Sequence, residues 1–205
     1  MMKTAFWAIL SVLLFVGCAE KASVEPAKQA EMTPKRTHST LAMVDMPATF
    51  GIEQEANRTV DVVVVHTANA EFGEPYVPQN VYDTFKKYHV TPHYMIGRDG
   101  TIYKMADEYD LAHHAGISKM ADGRESVNHF SIGIELINSK TDYPTRAQYI
   151  ALANLIRDIK TRHQIKYIVG HKDIAPTRKT DPWNFDFGLL HAMIDSDKHA
   201  KDTNK

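Results

Sequence analysis

Residues 59–66 read Thr59-Val60-Asp61-Val62-Val63-Val64-Val65-His66. The β-branched run is too short for a helix, and its consecutive valines leave no polar face for water. It therefore predicts a central strand that is buried on both faces and ends at His66. A strand covered on both faces needs helices above and below it, which indicates an α/β domain.

The chain beyond this strand alternates between further strands and helices. Residues 131–137 (SIGIELI) and 167–170 (YIVG) predict two more buried strands, and Gly97-Arg98-Asp99-Gly100 predicts a hairpin turn. Helices are predicted over about 80–88, 145–163 and 185–194. The expected fold is one α/β domain, spanning 46–195, with a mixed central sheet flanked by helices on both faces. A disordered tail is expected over 196–205.

The first 45 residues are interpreted as a leader and a tether. Residues 1–17 have one lysine, a short apolar core and a final glycine, which is the layout of a secretory signal peptide. Leu14-Phe15-Val16-Gly17-Cys18 resembles a bacterial lipobox, so Cys18 is the predicted lipidation site. Residues 18–45 are predicted to form the lipidated N-terminus and a flexible tether. Ala19 in place of aspartate points, by the same resemblance, to the outer membrane, facing the periplasm.

Composition excludes several classes of function. With 24 basic and 25 acidic side chains the net charge is −1, which does not favour binding to nucleic acid. A single cysteine excludes a disulfide framework and a zinc site of the Cys-x-x-Cys type. No phosphate loop, nucleophile elbow or dinucleotide fingerprint occurs. His89 and His93 have the spacing of a helical zinc pair, but Pro92 breaks such a helix, so both are left out of the predicted site. We expect a monomer.

Three residues form a candidate catalytic zinc site. His66 and His171 each follow a predicted strand at its carboxyl end, where α/β sheets collect their ligands, so they can come together in space. Asp181 lies on the loop that follows, over 170–182. Two imidazoles, one carboxylate and an open position for water are what a catalytic zinc ion requires.

Two further residues could carry proton and charge chemistry beside that site. Glu135 interrupts an apolar strand, and strand alternation places it on one face with Gly133 and Ile137. A buried carboxylate must be paired or functional; next to a metal-bound water it becomes a general base. Lys179 lies two residues before Asp181, where its ammonium group could stabilise an oxyanion.

Five stretches, in order, resemble the zinc-dependent N-acetylmuramoyl-L-alanine amidases of the amidase type 2 family, to which peptidoglycan recognition proteins are related. Two of them are similar to the AmpD-like branch of cell-wall recycling amidases and its lipoprotein form. The five stretches are 64–66, 93–100, 114–116, 128–135 and 170–182.

The resemblance implies a reaction and a role for each matching residue. The reaction is cleavage of the amide between N-acetylmuramic acid and L-alanine in peptidoglycan or muropeptides. Glu135 matches the proton shuttle and Lys179 matches the oxyanion stabiliser. The residues that match zinc ligands are His66, His171 and Asp181, and those expected along the substrate groove are His114, Asn128 and Arg178.

Two alternatives remain open at this point. The first is a non-catalytic peptidoglycan-binding lipoprotein of the recognition type, although the relatives that lost catalysis usually lack a metal ligand and this chain retains all three. The second is a zinc hydrolase with another specificity, such as a different cell-wall amidase or peptidase. Product analysis and zinc content separate these possibilities.

Overall fold

The computed structural model describes Ser39, residues 41–55 and residues 57–202, with side chains up to Ser196. The predicted signal peptide, Cys18 and most of the predicted tether lie outside these residues. Within them, no helix is long and apolar enough to cross a membrane.

A six-stranded mixed sheet forms the centre of the domain. Its strands, in spatial order, are β1 (Val44–Asp45), β5 (Ile102–Lys104), β4 (Tyr94–Ile96), β7 (Ser131–Ile137), β3 (Val62–Ala68) and β8 (Tyr167–Gly170). Only the β4–β5 pair is antiparallel in this sheet, and it is the predicted hairpin. Two short strands, β2 (Ile52–Gln54) and β6 (Asp110–Ala112), pair antiparallel outside it.

Helices cover both faces, as predicted. They are α1 (Pro78–Tyr88), α2 (Arg146–Ile159), α3 (His171–Ile174) and α4 (Phe187–Asp202). On one face, α2 and α4 pack in a single apolar cluster with Val63 and Val65 of β3. On the other, Val81 and Phe85 of α1 pack with the sheet, and Ile174 of α3 packs in another cluster on the same side. The valine run thus supplies alternate side chains to two separate cores.

Local chemistry explains where the longest buried helix begins. The Thr145 side chain accepts a hydrogen bond from the Gln148 backbone N–H, and the Gln148 side chain accepts one from the Thr145 N–H. This reciprocal capping box satisfies two amide groups that have no partner within the helix. Gln148 also donates to the backbone oxygens of Ile96 and Ile137, which ties α2 to the carboxyl-terminal ends of the two interior strands β4 and β7.

Several predicted boundaries were wrong. The central strand runs from Val62 to Ala68, so His66 lies inside it rather than at its end. The strand at 167–170 is not buried: it is an edge strand of the sheet and Tyr167 is 42% exposed, because β3 covers only one of its sides. The last helix continues to Asp202, through most of the tail that we predicted to be disordered.

The predicted end of the tether was also wrong. Val44 and Asp45 form a strand parallel to β5, and Leu41 and Met43 pack against the main core. The folded domain therefore includes the chain from Leu41 onward. A two-residue strand was not recognisable in the sequence, because it is too short to show a periodicity and forms through its pairing with β5.

Candidate metal centre and active site

Parallel pairing of three strands builds the site. His66 of β3 lies opposite Glu135 of β7, and Val65 lies opposite Gly170 of β8, so that His171 follows next to His66. The side chains of residues opposite one another in a sheet project from the same face. The register therefore brings together His66, Glu135 and His171, which are far apart in the sequence.

The three predicted zinc ligands converge on one point. The Nδ1 atoms of His66 and His171 are 3.0 Å apart, and the Asp181 Oδ2 atom lies 3.3 Å and 3.2 Å from them. All three residues are buried, and they are the group in the described chain that could hold a metal ion. The excluded His93 instead accepts a hydrogen bond from the Gly133 backbone and takes no part in this group.

The chemistry of these donors fits a divalent cation. The Nε2 atom of His171 lies 3.0 Å from the backbone oxygen of Ala115, so Nε2 carries the proton and Nδ1 presents a lone pair. That lone pair faces the oxygen of Asp181, and two acceptors at this distance are compatible when they share a cation. Burial lowers the pKa of His66 to about 4, although the hydrogen bond to Asp181 and the negative charge of that group act to raise it. The group therefore offers two imidazole nitrogens and one carboxylate, as zinc-binding sites do.

Glu135 stands beside this group as a buried carboxylate without a protein partner. Glu135 is 7% exposed, and no residue in the described ranges donates a hydrogen bond to its side chain. Burial raises its pKa well above the usual range; the negative charge of Asp181 adds to the shift and the positive charge of Lys179 opposes it. A carboxyl group whose pKa is raised in this way binds a proton more strongly than an ordinary carboxylate, which suits a group that accepts a proton and later returns it.

Two adjoining cavities give access to the site. The first, of about 220 Å³, is lined by Glu135, Trp183 and the three metal-binding candidates. The second, of about 290 Å³, is lined by Asn128 and Arg178. His114, His171 and Lys179 border both cavities, so the two form one groove that passes the metal-binding group.

The residues expected along the groove also brace its wall. The Asn128 side-chain oxygen accepts hydrogen bonds from the backbone N–H groups of His114 and Ala115. The Arg178 guanidinium donates to the backbone oxygens of Ala115 and Ile117. Both residues therefore shape the 114–117 loop, and their contact with substrate stays a prediction.

Trp183 is a groove residue that our sequence reasoning missed. Its backbone N–H donates to the Thr67 hydroxyl at 2.9 Å, and its indole N–H donates to the Thr180 hydroxyl at 3.0 Å. These bonds hold the half-buried side chain at the rim of the first cavity. Its position directly after Asp181-Pro182 could have indicated a place in the groove, because residues next to a metal-binding candidate on the same loop lie close to the site.

These features indicate a class of protein with a mixed α/β domain and a buried His-His-Asp group that could hold a metal ion. Beside this group lies one buried carboxylate that receives no hydrogen bond from the described residues. Comparison with known proteins agrees with this class. The profile of the family described as N-acetylmuramoyl-L-alanine amidase matches residues 56–184, more than half of the chain.

Individual relatives extend the match over the whole domain. The 1,6-anhydro-N-acetylmuramyl-L-alanine amidase AmpD of Citrobacter freundii is 35% identical over 159 residues, covering 69% of this chain and 84% of that relative. A crystal structure of a selenomethionine AmpD derivative superposes with a TM-score of 0.64 and 33% identity, over 74% and 94% of the two chains. The structure of AmiD from Escherichia coli, solved with a muropeptide, superposes with a TM-score of 0.58 and 31% sequence identity. The match covers 69% of this chain and 60% of that chain.

The chain belongs to the N-acetylmuramoyl-L-alanine amidase family and is an enzyme of that kind. The predicted fold class, a single mixed α/β domain, is confirmed.

Proposed function

We propose that the chain hydrolyses the amide bond between N-acetylmuramic acid and L-alanine in peptidoglycan or muropeptides, with zinc as its cofactor. The observation that carries this proposal is the Glu135 carboxylate, which lies in the groove beside three converging metal donors. In the described part of the chain it has no hydrogen-bond donor of its own, so its acceptor capacity is open to a reacting molecule.

Zinc is the ion that suits this donor set. Two imidazole nitrogens and one carboxylate oxygen, with a cavity on the open side, match three-ligand catalytic zinc sites, whereas magnesium and calcium prefer oxygen ligands throughout. A zinc ion held by His66, His171 and Asp181 supplies Lewis acidity, which polarises a carbonyl group and acidifies a water molecule.

Glu135 moves the proton in the proposed reaction. Its carboxylate takes a proton from the attacking water, whose oxygen adds to the carbonyl carbon of the lactyl amide. It then gives this proton to the nitrogen of L-alanine as the carbon–nitrogen bond breaks, which leaves a carboxylic acid on the sugar and a free amine on the peptide. Its raised pKa allows Glu135 to hold the proton between the two steps.

Lys179 stabilises the negative charge that develops on the carbonyl oxygen. It borders both cavities, and its positive charge acts on both His66 and Glu135. A fixed ammonium group in a partly desolvated groove stabilises an oxyanion more strongly than water does.

We place the sugar end of the substrate in one cavity and the stem peptide in the other. The AmiD structure was solved with anhydro-N-acetylmuramic acid-L-Ala-D-gamma-Glu-L-Lys, a molecule that carries both parts. In this chain, Arg178 beside the second cavity supplies a positive charge for the carboxylates of a stem peptide, and Trp183 beside the first supplies an apolar surface for a sugar ring.

The test is product analysis with the full chain in mild detergent. Purified muropeptides are incubated with the protein, with a chelator, and with the chelator followed by added zinc, and products are identified by mass spectrometry. We expect intact stem peptide with a free N-terminal alanine, loss of cleavage with chelator, and recovery with zinc. Binding without cleavage by zinc-loaded protein would instead identify a recognition protein, and cleavage at another bond would identify a hydrolase of different specificity.

We further propose that the enzyme is a lipoprotein of the outer membrane that faces the periplasm. The support is the Leu14–Cys18 stretch behind a short apolar segment, with Ala19 following the cysteine. Labelled palmitate should enter the full chain and not Cys18→Ser, and the labelled protein should sediment with outer membranes. Native protein found wholly in the soluble fraction would contradict the anchor.

A further inference from the structure

A chain of hydrogen bonds leads from the metal-binding group into β7. The Nε2 atom of His66 lies 3.1 Å from Nδ1 of His114, and Nε2 of His114 lies 3.2 Å from the Ser131 hydroxyl oxygen. That hydroxyl donates to the backbone oxygen of Val127 at 2.7 Å. His66, His114 and Ser131 are all buried, so water does not compete for these bonds.

The hydrogen bond from Ser131 to Val127 determines which group donates and which accepts in each other bond of this chain, which we call the relay. A carbonyl oxygen can only accept, so the single hydroxyl proton of Ser131 goes to Val127 and the Ser131 oxygen accepts from His114 Nε2–H. A neutral imidazole has one N–H group, which leaves His114 Nδ1 as an acceptor. His66 must then carry its proton on Nε2, and its Nδ1 presents a lone pair to His171 and Asp181.

The His114 ring is held in this position by its surroundings. A Cβ atom at Gly133 would lie 2.3 Å from the ring, so glycine is needed at this position of β7 to seat the imidazole against the backbone. From the other side, the Asn128 side chain accepts a hydrogen bond from the His114 backbone N–H. The ring therefore has little freedom to turn away from His66.

The second metal-binding histidine is oriented in a different way. His171 donates from Nε2 to the backbone oxygen of Ala115, an acceptor that no side-chain substitution removes. His66 depends on two side chains for the same result. Metal-binding histidines characteristically donate their second ring N–H to an oriented acceptor, and losing that acceptor typically weakens metal binding.

We propose that Ser131, acting through His114, is a positioning residue that holds His66 in the tautomer presenting Nδ1 to the metal. This inference rests on the metal centre of the proposed function, but not on its substrate. Ser131 touches neither the metal-binding atoms nor the groove, so its effect is on metal affinity rather than on the reacting groups.

The test compares Ser131→Ala with Ser118→Ala in the full chain. Ser118 is a buried serine of the same region whose hydroxyl donates to Gly116 and accepts from Val127 N–H, outside the relay. Zinc affinity is measured by competition with a chromophoric chelator at fixed pH, and thermal unfolding is measured on the metal-free proteins. We expect Ser131→Ala to bind zinc about 10- to 100-fold more weakly than wild type. Ser118→Ala should keep wild-type affinity, with a similar change in melting temperature.

A second measurement needs no variant. Nitrogen-15 spectra of the histidine rings in metal-free wild-type protein should show His66 and His114 both protonated at Nε2. A His114 ring protonated at Nδ1 would overturn the proposal, as would Ser131→Ala with wild-type zinc affinity. Absence of amidase activity in the wild type would contradict the proposed function but would leave both of these readouts decisive.

Discussion

Glu108 and Glu135 are both buried glutamates, 4% and 7% exposed, yet their pKa values move in opposite directions. Burial alone would raise the pKa of Glu108, but hydrogen bonds from His163, Arg162 and Tyr94 outweigh it and lower the value to about 2. The donor-to-oxygen distances are 2.7–3.0 Å. Both oxygens of the Glu108 carboxylate therefore accept hydrogen bonds from protein side chains.

Glu135 lacks such partners in the described chain and faces a cavity instead. Its raised pKa follows from burial first and from the neighbouring Asp181 charge second. A buried carboxylate that the fold saturates with donors stabilises the fold, whereas one left without donors retains its capacity for a ligand or a reacting proton. Burial alone therefore does not separate a structural from a functional glutamate, and the hydrogen-bond partners do.

The largest expected effect is that of Glu135→Gln on turnover. Loss of the proton acceptor should lower kcat about 10³-fold, because general acid–base groups contribute roughly 10²- to 10⁴-fold. The melting temperature should stay the same or rise, since an unpaired buried acid is replaced by a neutral amide of the same shape. Steady-state kinetics and thermal unfolding, with zinc content verified, measure both. A variant with normal turnover would refute the role of Glu135.

Glu108→Gln should give the opposite pattern. Removing one partner of a buried ion pair costs about 3 kcal/mol of unfolding free energy, which corresponds to a melting temperature lower by roughly 10 °C for a domain of this size. Turnover of the folded fraction should be unchanged because Glu108 and its hydrogen-bond donors Tyr94, Arg162 and His163 do not border the groove. Denaturant unfolding measures the stability of this variant, and steady-state kinetics corrected for the folded fraction measure its turnover. A variant with wild-type stability and impaired turnover would show that Glu108, like Glu135, acts in the reaction.

Lys179→Met tests the charge next to Glu135. Loss of the ammonium group should lower kcat about 10²-fold, the scale of one oxyanion-stabilising donor. Because Lys179 lowers the pKa of Glu135, its removal should raise that pKa and move the acid limb of the kcat–pH profile to higher pH. Lys179→Arg is the matched control and should keep the wild-type acid limb. An unmoved limb in the methionine variant would show that the two groups do not interact.

The smallest expected effect is the acid dependence of stability. The folded pKa of Glu108, about 2, lies below its ordinary value of 4.5. The contribution of the ionised group is therefore complete above pH of about 4.5, and it is lost as the pH falls towards 2. The stability advantage of wild type over Glu108→Gln should shrink across that interval in thermal unfolding measurements. Glu71→Gln, at an exposed pair with Lys87, is the control and should show little change.

Much of the fold was predictable because strong local patterns marked it. The strand 131–137 and the Asp-Gly hairpin appear as predicted, and the valine run forms the predicted central strand with different bounds. The edge position of Tyr167–Gly170 and the short strand Val44–Asp45 were not predictable in this way. An apolar side chain reports that it can be buried, but a strand is buried on both sides only if a neighbour is present, and neighbours come from distant parts of the chain.

The candidate site shows the same division. The residue types at 66, 135, 171, 179 and 181 indicated a metal centre with a base and a cation, and the structure brings these residues to one groove. The contacts of Ser131 and Gly133 with His114 were not predictable, because a serine and a glycine in a strand have no distinctive sequence pattern.

The class of fold and the set of donor atoms could be predicted from the amino-acid sequence alone, since apolar periodicity and residue chemistry are local properties. Three features required the folded structure: which buried glutamate receives hydrogen bonds, which ring nitrogen of His66 faces the metal-binding group, and where the groove runs. These features depend on distances of about 3 Å between residues that are tens of positions apart. Such distances exist only once the strands have paired and the helices have packed.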